Sequence, residues 1–276
     1  MWVVVASLTG RVTQPMRVRT GQPTHGAGRR GVTAFRDRDD AARRALAGQP
    51  DAGPDVDVDV EIPAAAAVMQ GHLHVPGSTT GVVVFAHGSG SSRHSPRNRF
   101  VADVLYGAGL GTLLLDLLTP DEEVDRRNVF DIGFLAGRLT AATSWLATRS
   151  DTASCRIGYF GASTGAGAAL WAAAELGPLI SAVVSRGGRP DLAGQRLAQV
   201  RAPTLLIVGS RDVAVLDLNR RAQAALRCPH RLTVVEGATH LFEEPGTLAE
   251  AAMHARDWFV EHLLTCDGEQ GSRPRR

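Results

Sequence analysis

Beyond residue 54 the chain is built from short blocks of contiguous apolar residues separated by longer stretches in which apolar positions return at helical spacing. The first block is different. Asp55 to Ile62 reads DVDVDVEI, acid and apolar in strict alternation, which predicts an edge strand with one wet face. VMQGHLHV, ending at Val75, is expected to pair with it as a hairpin. The blocks GVVVFAHG, GTLLLDLL, CRIGYFG, SAVVSRG, PTLLIVGS and RLTVVEGA are nearly continuous in apolar residues, the pattern of strands covered on both faces in a parallel sheet. Between them lie helical patterns over Asn98–Gly109, Phe130–Thr148, Thr164–Glu175, Leu216–Leu226 and Thr247–Leu264. This alternation predicts a doubly wound α/β fold, a mostly parallel central sheet flanked by helices. Only a short polar segment, GRPDLAGQRLAQVRA, separates SAVVSRG from the next strand, so no cap domain is expected there.

Residues 1–54, rich in Arg, Gly, Pro, Thr and Asp, read as a poorly ordered arm with one short helical stretch, DDAARRALAG. Its arginines could touch RNA or an acidic partner, or be a solvated tail. The ordered domain is expected over residues 55–266, with a disordered tail over 267–276.

In such sheets ligands bind outside the carboxyl ends of the strands, so chemistry is sought there. Gly161-Ala162-Ser163-Thr164-Gly165 follows one strand and opens an Ala-rich helix, the context of a GxSxG nucleophile elbow. A serine nucleophile needs a base, and the base needs an orienting acid, in the chain order Ser, Asp/Glu, His. Asp212 follows the strand PTLLIVGS and His240 follows the last strand, so three residue types fall in order at three strand ends. Taken singly, Asp212 could be a helix N-cap and His240 a structural histidine. The loop HGSGSSRHSPRNR after GVVVFA is read as the source of one oxyanion donor, the backbone N–H of Ser89. Thr164, just after the nucleophile, is read as the source of the other. Each such donor is worth on the order of 3 kcal/mol of barrier.

Composition narrows the classes. With 276 residues, 44% hydrophobic and 21% charged, the chain can bury a full core, and a formal net charge of +2 argues against a nucleic-acid or membrane-surface role. Every basic residue is arginine, which excludes a P-loop lysine, a Schiff-base lysine and a serine-lysine dyad. Cys155, Cys228 and Cys266 are scattered, suggesting neither a disulfide framework nor a zinc site, and a reducing cytoplasm is expected. No stretch approaches the ~18 apolar residues of a membrane span, and the opening MWVVVASLTG lacks the flanks of a secretory leader.

The phrases HGSGSSRHSPRNR, GYFGASTGAGAAL, PTLLIVGSRD and GATHLFEEPG, spread from about Val60 to Leu264, resemble the α/β-hydrolases and, within them, the dienelactone hydrolase family. The resemblance implies a Ser163, Asp212, His240 triad acting on ester-like bonds, with serine where the founding members carry cysteine. A small ester or lactone is the expected substrate, with no cofactor, metal, nucleic acid or membrane partner. Two other readings stay open: acyl transfer to an alcohol, amine or peroxide through the same intermediate, and a non-catalytic binding module.

Several polar residues near these loops are ambiguous. Arg93, His94, Arg97 and Asn98 could hold a substrate carboxylate, since arginine binds carboxylates bidentately, or could cap the next helix and pair with the acidic stretch Asp121 to Asp125. Arg186 and Arg189 face the same choice, and Arg186, Arg93 and His94 are taken as substrate-binding candidates. His72 and His74 alternate on one strand face without a third ligand nearby and are read as exposed strand residues. Glu243 and Glu244 are expected to start or cap the last helix.

Overall fold

A computed structural model describes residues 54–264. The N-terminal arm up to residue 53 and the C-terminal tail expected from composition lie outside the described residues. Eight strands form one sheet: β1 (Val56–Ala64), β2 (Ala67–Val75), β3 (Gly81–Ala86), β4 (Gly111–Leu115), β5 (Arg156–Ala162), β6 (Ile180–Arg186), β7 (Thr204–Gly209) and β8 (His230–Val235). Their spatial order is β1-β2-β4-β3-β5-β6-β7-β8. β1 pairs antiparallel with β2, β2 antiparallel with β4, and every later pair is parallel. The acid-valine alternation therefore sits where it was expected, on the outermost strand, with Asp57, Asp59 and Glu61 exposed and Val60 and Ile62 buried.

The helices are α1 (Pro96–Tyr106), α2 (Pro120–Glu123), α3 (Arg126–Phe130), α4 (Ile132–Ala147), α5 (Thr164–Leu176), α6 (Val213–Ala225) and α7 (Thr247–Phe259). α1 starts two residues earlier than the apolar pattern implied, because Pro96 takes the first helical position and Ser95 accepts a hydrogen bond from the Asn98 N–H. α2 was not expected. A capping box between Thr119 and Glu122 closes its first turn. The β6–β7 connection is a run of 3₁₀ turns over Pro190–Gln199, and no cap domain is inserted there.

Each central strand feeds two apolar layers. In β3, Val82, Val84 and Ala86 face a core completed by α4 and α5, through residues such as Leu135, Leu139 and Leu170. Val83 and Phe85 face a second core that includes Val101 and Leu105 of α1 and Ala252 and Phe259 of α7. Helices on both faces explain why these strands lack polar alternation. The second core is tightly keyed, since a Cβ at Gly158 would lie only 2.8 Å from the Phe259 ring. Phe259 is fully buried. Phe259→Ala is therefore expected to lower unfolding free energy by about 3–5 kcal/mol at unchanged denaturant m-value, measured by urea titration of the folded chain.

Candidate active site

The bend from β5 to α5 leaves no room for side chains at its two glycines. A Cβ at Gly161 would stand 2.4 Å from the Ala166 Cα, and one at Gly165 would stand 2.2 Å from the Ala86 carbonyl oxygen at the end of β3. Ser163, between them, has φ 50° and ψ −123°, a conformation L-residues adopt only under constraint. The constraint is visible in the backbone. Ser163 N–H donates to the Arg186 carbonyl at 3.4 Å, and the Ser163 carbonyl accepts from Arg189 N–H at 2.9 Å, so the elbow is tied to the end of β6.

The loops after β7 and β8 are bolted together in the same way. Ser210 N–H reaches the Val235 carbonyl at 2.9 Å, and Arg211 N–H reaches the Ala238 carbonyl at 3.0 Å. This brings Asp212 Oδ2 to 2.6 Å from His240 Nδ1. Asp212 does occupy the N-cap position of α6, yet its carboxylate makes no cap bond there and serves His240 instead. An Nδ1–H donated to Asp212 leaves His240 Nε2 as the acceptor nitrogen. Glu244 holds the His240 loop from the other side by accepting from the Thr239 N–H at 3.0 Å, and that bond lowers the Glu244 pKa. The Glu244 side chain thus anchors the loop that carries His240, while its carbonyl accepts from Thr247 at the start of α7. Ser163 and His240 line one pocket of about 220 Å³, together with Ser89, Asn98, Arg97 and Arg186. Among the described residues no hydrogen bond joins Ser163 to His240; the two share the pocket, and such contacts commonly close only around substrate.

The loop after β3 is set by His87, which is buried. Leu117 N–H donates to His87 Nε2 at 3.1 Å, so Nδ1 carries the proton and donates to the Gly88 carbonyl at 2.9 Å. Gly88 must be glycine because its Cβ would come within 2.9 Å of the Ser163 Cβ. The loop thus presses against Ser163. The Thr164 N–H stands in the first turn of α5, where backbone donors lack intrahelical acceptors and no side chain caps the end. The Ser89 N–H departs from the expectation of a free donor, for it donates to Thr164 Oγ1 at 3.0 Å.

Of the expected substrate-binding residues, Arg186 alone reaches the pocket. Arg93 is turned away because its guanidinium and its N–H both engage Asp116 beyond β4, and His94 Nδ1 accepts from Arg99 at 2.9 Å. The partner of Arg93 is thus Asp116, not the stretch from Asp121 to Asp125. Arg189 pairs with Asp191 at 2.7 Å. Arg186, by contrast, is 5% exposed and has no carboxylate beside it among the described residues. Nη2 donates to Asn98 Oδ1 at 3.3 Å, the guanidinium lies 5.6 Å from the Phe242 ring centroid, and Nε has no partner. Burial, with the charge of Arg97 nearby, pulls its pKa down to about 10, so it stays a cation at neutral pH. Arg97 reaches Glu243 only at 3.5 Å. Asn98 was legible in principle, since it continues the buried stripe of Val101, Ala102 and Leu105 on α1 and is the polar member of that face. His72 lies between Asp57 at 2.9 Å and Asp59 at 3.1 Å, while His74 stacks on Tyr106.

A strained serine at a strand-to-helix elbow after β5, with an Asp-His pair from the loops after β7 and β8, is the arrangement of an α/β-hydrolase. The model of the dienelactone hydrolase family matches residues 76–263, and the chain belongs to that family. A crystal structure of a dienelactone hydrolase from Anabaena variabilis is 52% identical, with TM-score 0.74, over 76% of this chain and 99% of that one. Est1E from Butyrivibrio proteoclasticus, 15% identical with TM-score 0.63 over 74% of this chain and 98% of its own, shares the fold. A Mycobacterium tuberculosis protein named "putative phosphoribosyl transferase" is 62% identical over 237 residues, 84% of this chain. The match spans 53% of that relative, so the chain covers about half its length. No helix among the described residues is long and apolar enough to cross a membrane.

The crowding at Gly165 generates a direct check. Gly165→Ala drives a Cβ into backbone and is expected to cost about 1–3 kcal/mol or more by urea unfolding. Gly90→Ala, at φ +69° with nothing within 4 Å, costs only the left-handed strain of about 1 kcal/mol.

Proposed function

We propose that the domain over residues 55–266 is a serine hydrolase that cleaves small esters or lactones through an acyl-enzyme on Ser163. The observation that carries this reading is the 2.6 Å contact of Asp212 with His240 Nδ1 at the pocket that also holds the strained Ser163. His240 Nε2 takes the Ser163 proton as Oγ attacks the carbonyl, then returns it to the leaving alcohol. Asp212 keeps the imidazole in the required tautomer and balances the imidazolium. The Thr164 and Ser89 N–H groups and the positive end of α5 stabilise the tetrahedral oxyanion, and water attack then releases the acid. These steps call for no metal or organic cofactor.

Arg186 supports a substrate that carries its own negative charge. A buried guanidinium with no counter-ion among the described residues is costly, and an anionic substrate group would offset that cost. A carboxylate in the pocket would meet Arg186 on its floor and Arg97 at its rim. Cys155 and Cys228, both free thiols, support a reducing, cytoplasmic location. The name of the longer mycobacterial relative belongs to a protein only half of which is represented here. Interception of the acyl-enzyme by an alcohol or amine in place of water remains the alternative within the same chemistry, and product analysis with competing nucleophiles separates the two.

Two outcomes are expected. Ser163→Ala abolishes p-nitrophenyl acetate hydrolysis, a loss of at least ~10³-fold, and a fluorophosphonate found by mass spectrometry labels the wild type at Ser163. Labelling elsewhere, or undiminished turnover in the variant, refutes the assignment. Arg186→Met lowers kcat/KM for a carboxylate-bearing aryl ester by about 10–100-fold, chiefly through KM, while a neutral ester of equal size is affected far less.

A further inference from the structure

The donor that the oxyanion needs is already in use. Ser89 N–H has one hydrogen, and it is directed at Thr164 Oγ1, 3.0 Å away. Thr164 is 6% exposed, so water does not readily replace that acceptor. The bond is not what shapes the loop, because His87 is fixed between Leu117 and Gly88, and Ser91 N–H closes a turn onto the Gly88 carbonyl at 3.2 Å. Nor does the elbow require a hydroxyl here, since its tight contacts fall at Gly161 and Gly165.

Building on the serine-hydrolase reading, we propose that the Thr164 hydroxyl is a latch on the oxyanion hole: it holds the Ser89 amide in the resting enzyme and yields it when negative charge develops on the substrate oxygen. Thr164 is thereby a positioning residue through its side chain as well as an oxyanion donor through its backbone. A neutral hydroxyl is the weaker acceptor, and a charged oxygen makes a hydrogen bond roughly twice as strong, so the exchange runs toward the oxyanion. The bond that must be broken is nevertheless made only in the ground state, and an interaction of that kind adds to the barrier. Its loss is expected to raise the rate about fivefold, the worth of one neutral hydrogen bond.

Thr164→Val keeps the shape and removes the acceptor. On p-nitrophenyl acetate its kcat is expected to rise about fivefold with KM within twofold of wild type, the split expected when a ground-state interaction outside the binding contacts is lost. Thr164→Ser restores the hydroxyl and brings kcat back down toward the starting value. A valine variant that folds, by circular dichroism and thermal melting, and is no faster than wild type overturns the latch. Should the valine variant fail to fold, the wild type decides. The Ser89 amide proton, assigned by NMR, shifts downfield when a fluorophosphonate places its oxygen in the hole, and an unmoved resonance overturns the proposal. The two readings fail separately. A wild type that neither turns over nor labels at Ser163 removes the hydrolase assignment, whereas a labelled, active wild type with a slow valine variant or a static Ser89 amide removes only the latch.

Discussion

The site depends on one steric constraint, the approach of the first turn of α5 to the ends of β3 and β5. With 2.2 Å from a Gly165 Cβ position to the Ala86 oxygen and 2.4 Å from a Gly161 Cβ position to the Ala166 Cα, helix and strands meet backbone to backbone. Ser163 is forced to positive φ because no relaxed path joins strand to helix across so small a gap. The strain is borne by the two layers of core that clamp the sheet, so Ser163 is held by the whole domain and not by its own loop. Phe242 repeats the pattern two residues after His240, with φ 56° and its ring buried beneath Arg186.

Electrostatics then divides the pocket. On one side the Asp212–His240 pair, the proposed proton carrier, sits in a partly exposed setting, with the carboxylate 13% and the imidazole 39% accessible. On the other, a cation is sunk at the end of β6 beside an amide oxygen and an aromatic face. The backbone of the same arginine accepts the Ser163 N–H, so one residue both fastens Ser163 and charges its surroundings.

The sheet was legible in the sequence because burial on both faces removes polar residues from β3 to β7, and because the acids of β1 alternate with valines. The order of Ser163, Asp212 and His240 was legible because each follows an apolar block, and loops after strands converge in this fold. Arg93 and His94 were not separable from Arg97 and Asn98 by pattern: the four are nearly consecutive, and which pair turns inward depends on Asp116, a residue more than fifteen positions away that captures Arg93. The helical register of α1 held part of the answer, since it places Asn98 on the buried stripe. The clasp of Ser89 by Thr164 was beyond reach, because it rests on a side-chain rotamer across two loops. The short helices α2 and α3 carry few apolar residues and hold together through Thr119, Glu122 and Asp125, signals that hydrophobic periodicity passes over.

The missing cap has a consequence for how the proposed substrate charge would be sensed. Among the described residues no domain closes over the mouth, and there the rim cation Arg97, 37% exposed and loosely held by Glu243, is screened over a Debye length of about 8 Å at physiological ionic strength. Arg186 lies under the surface, where mobile ions do not follow. Attraction of an anion toward the mouth therefore fades as salt rises, while discrimination once it has settled does not. Under the proposed anion-binding role, capture and selection thus fall to two different arginines, and only the first is a property of the medium.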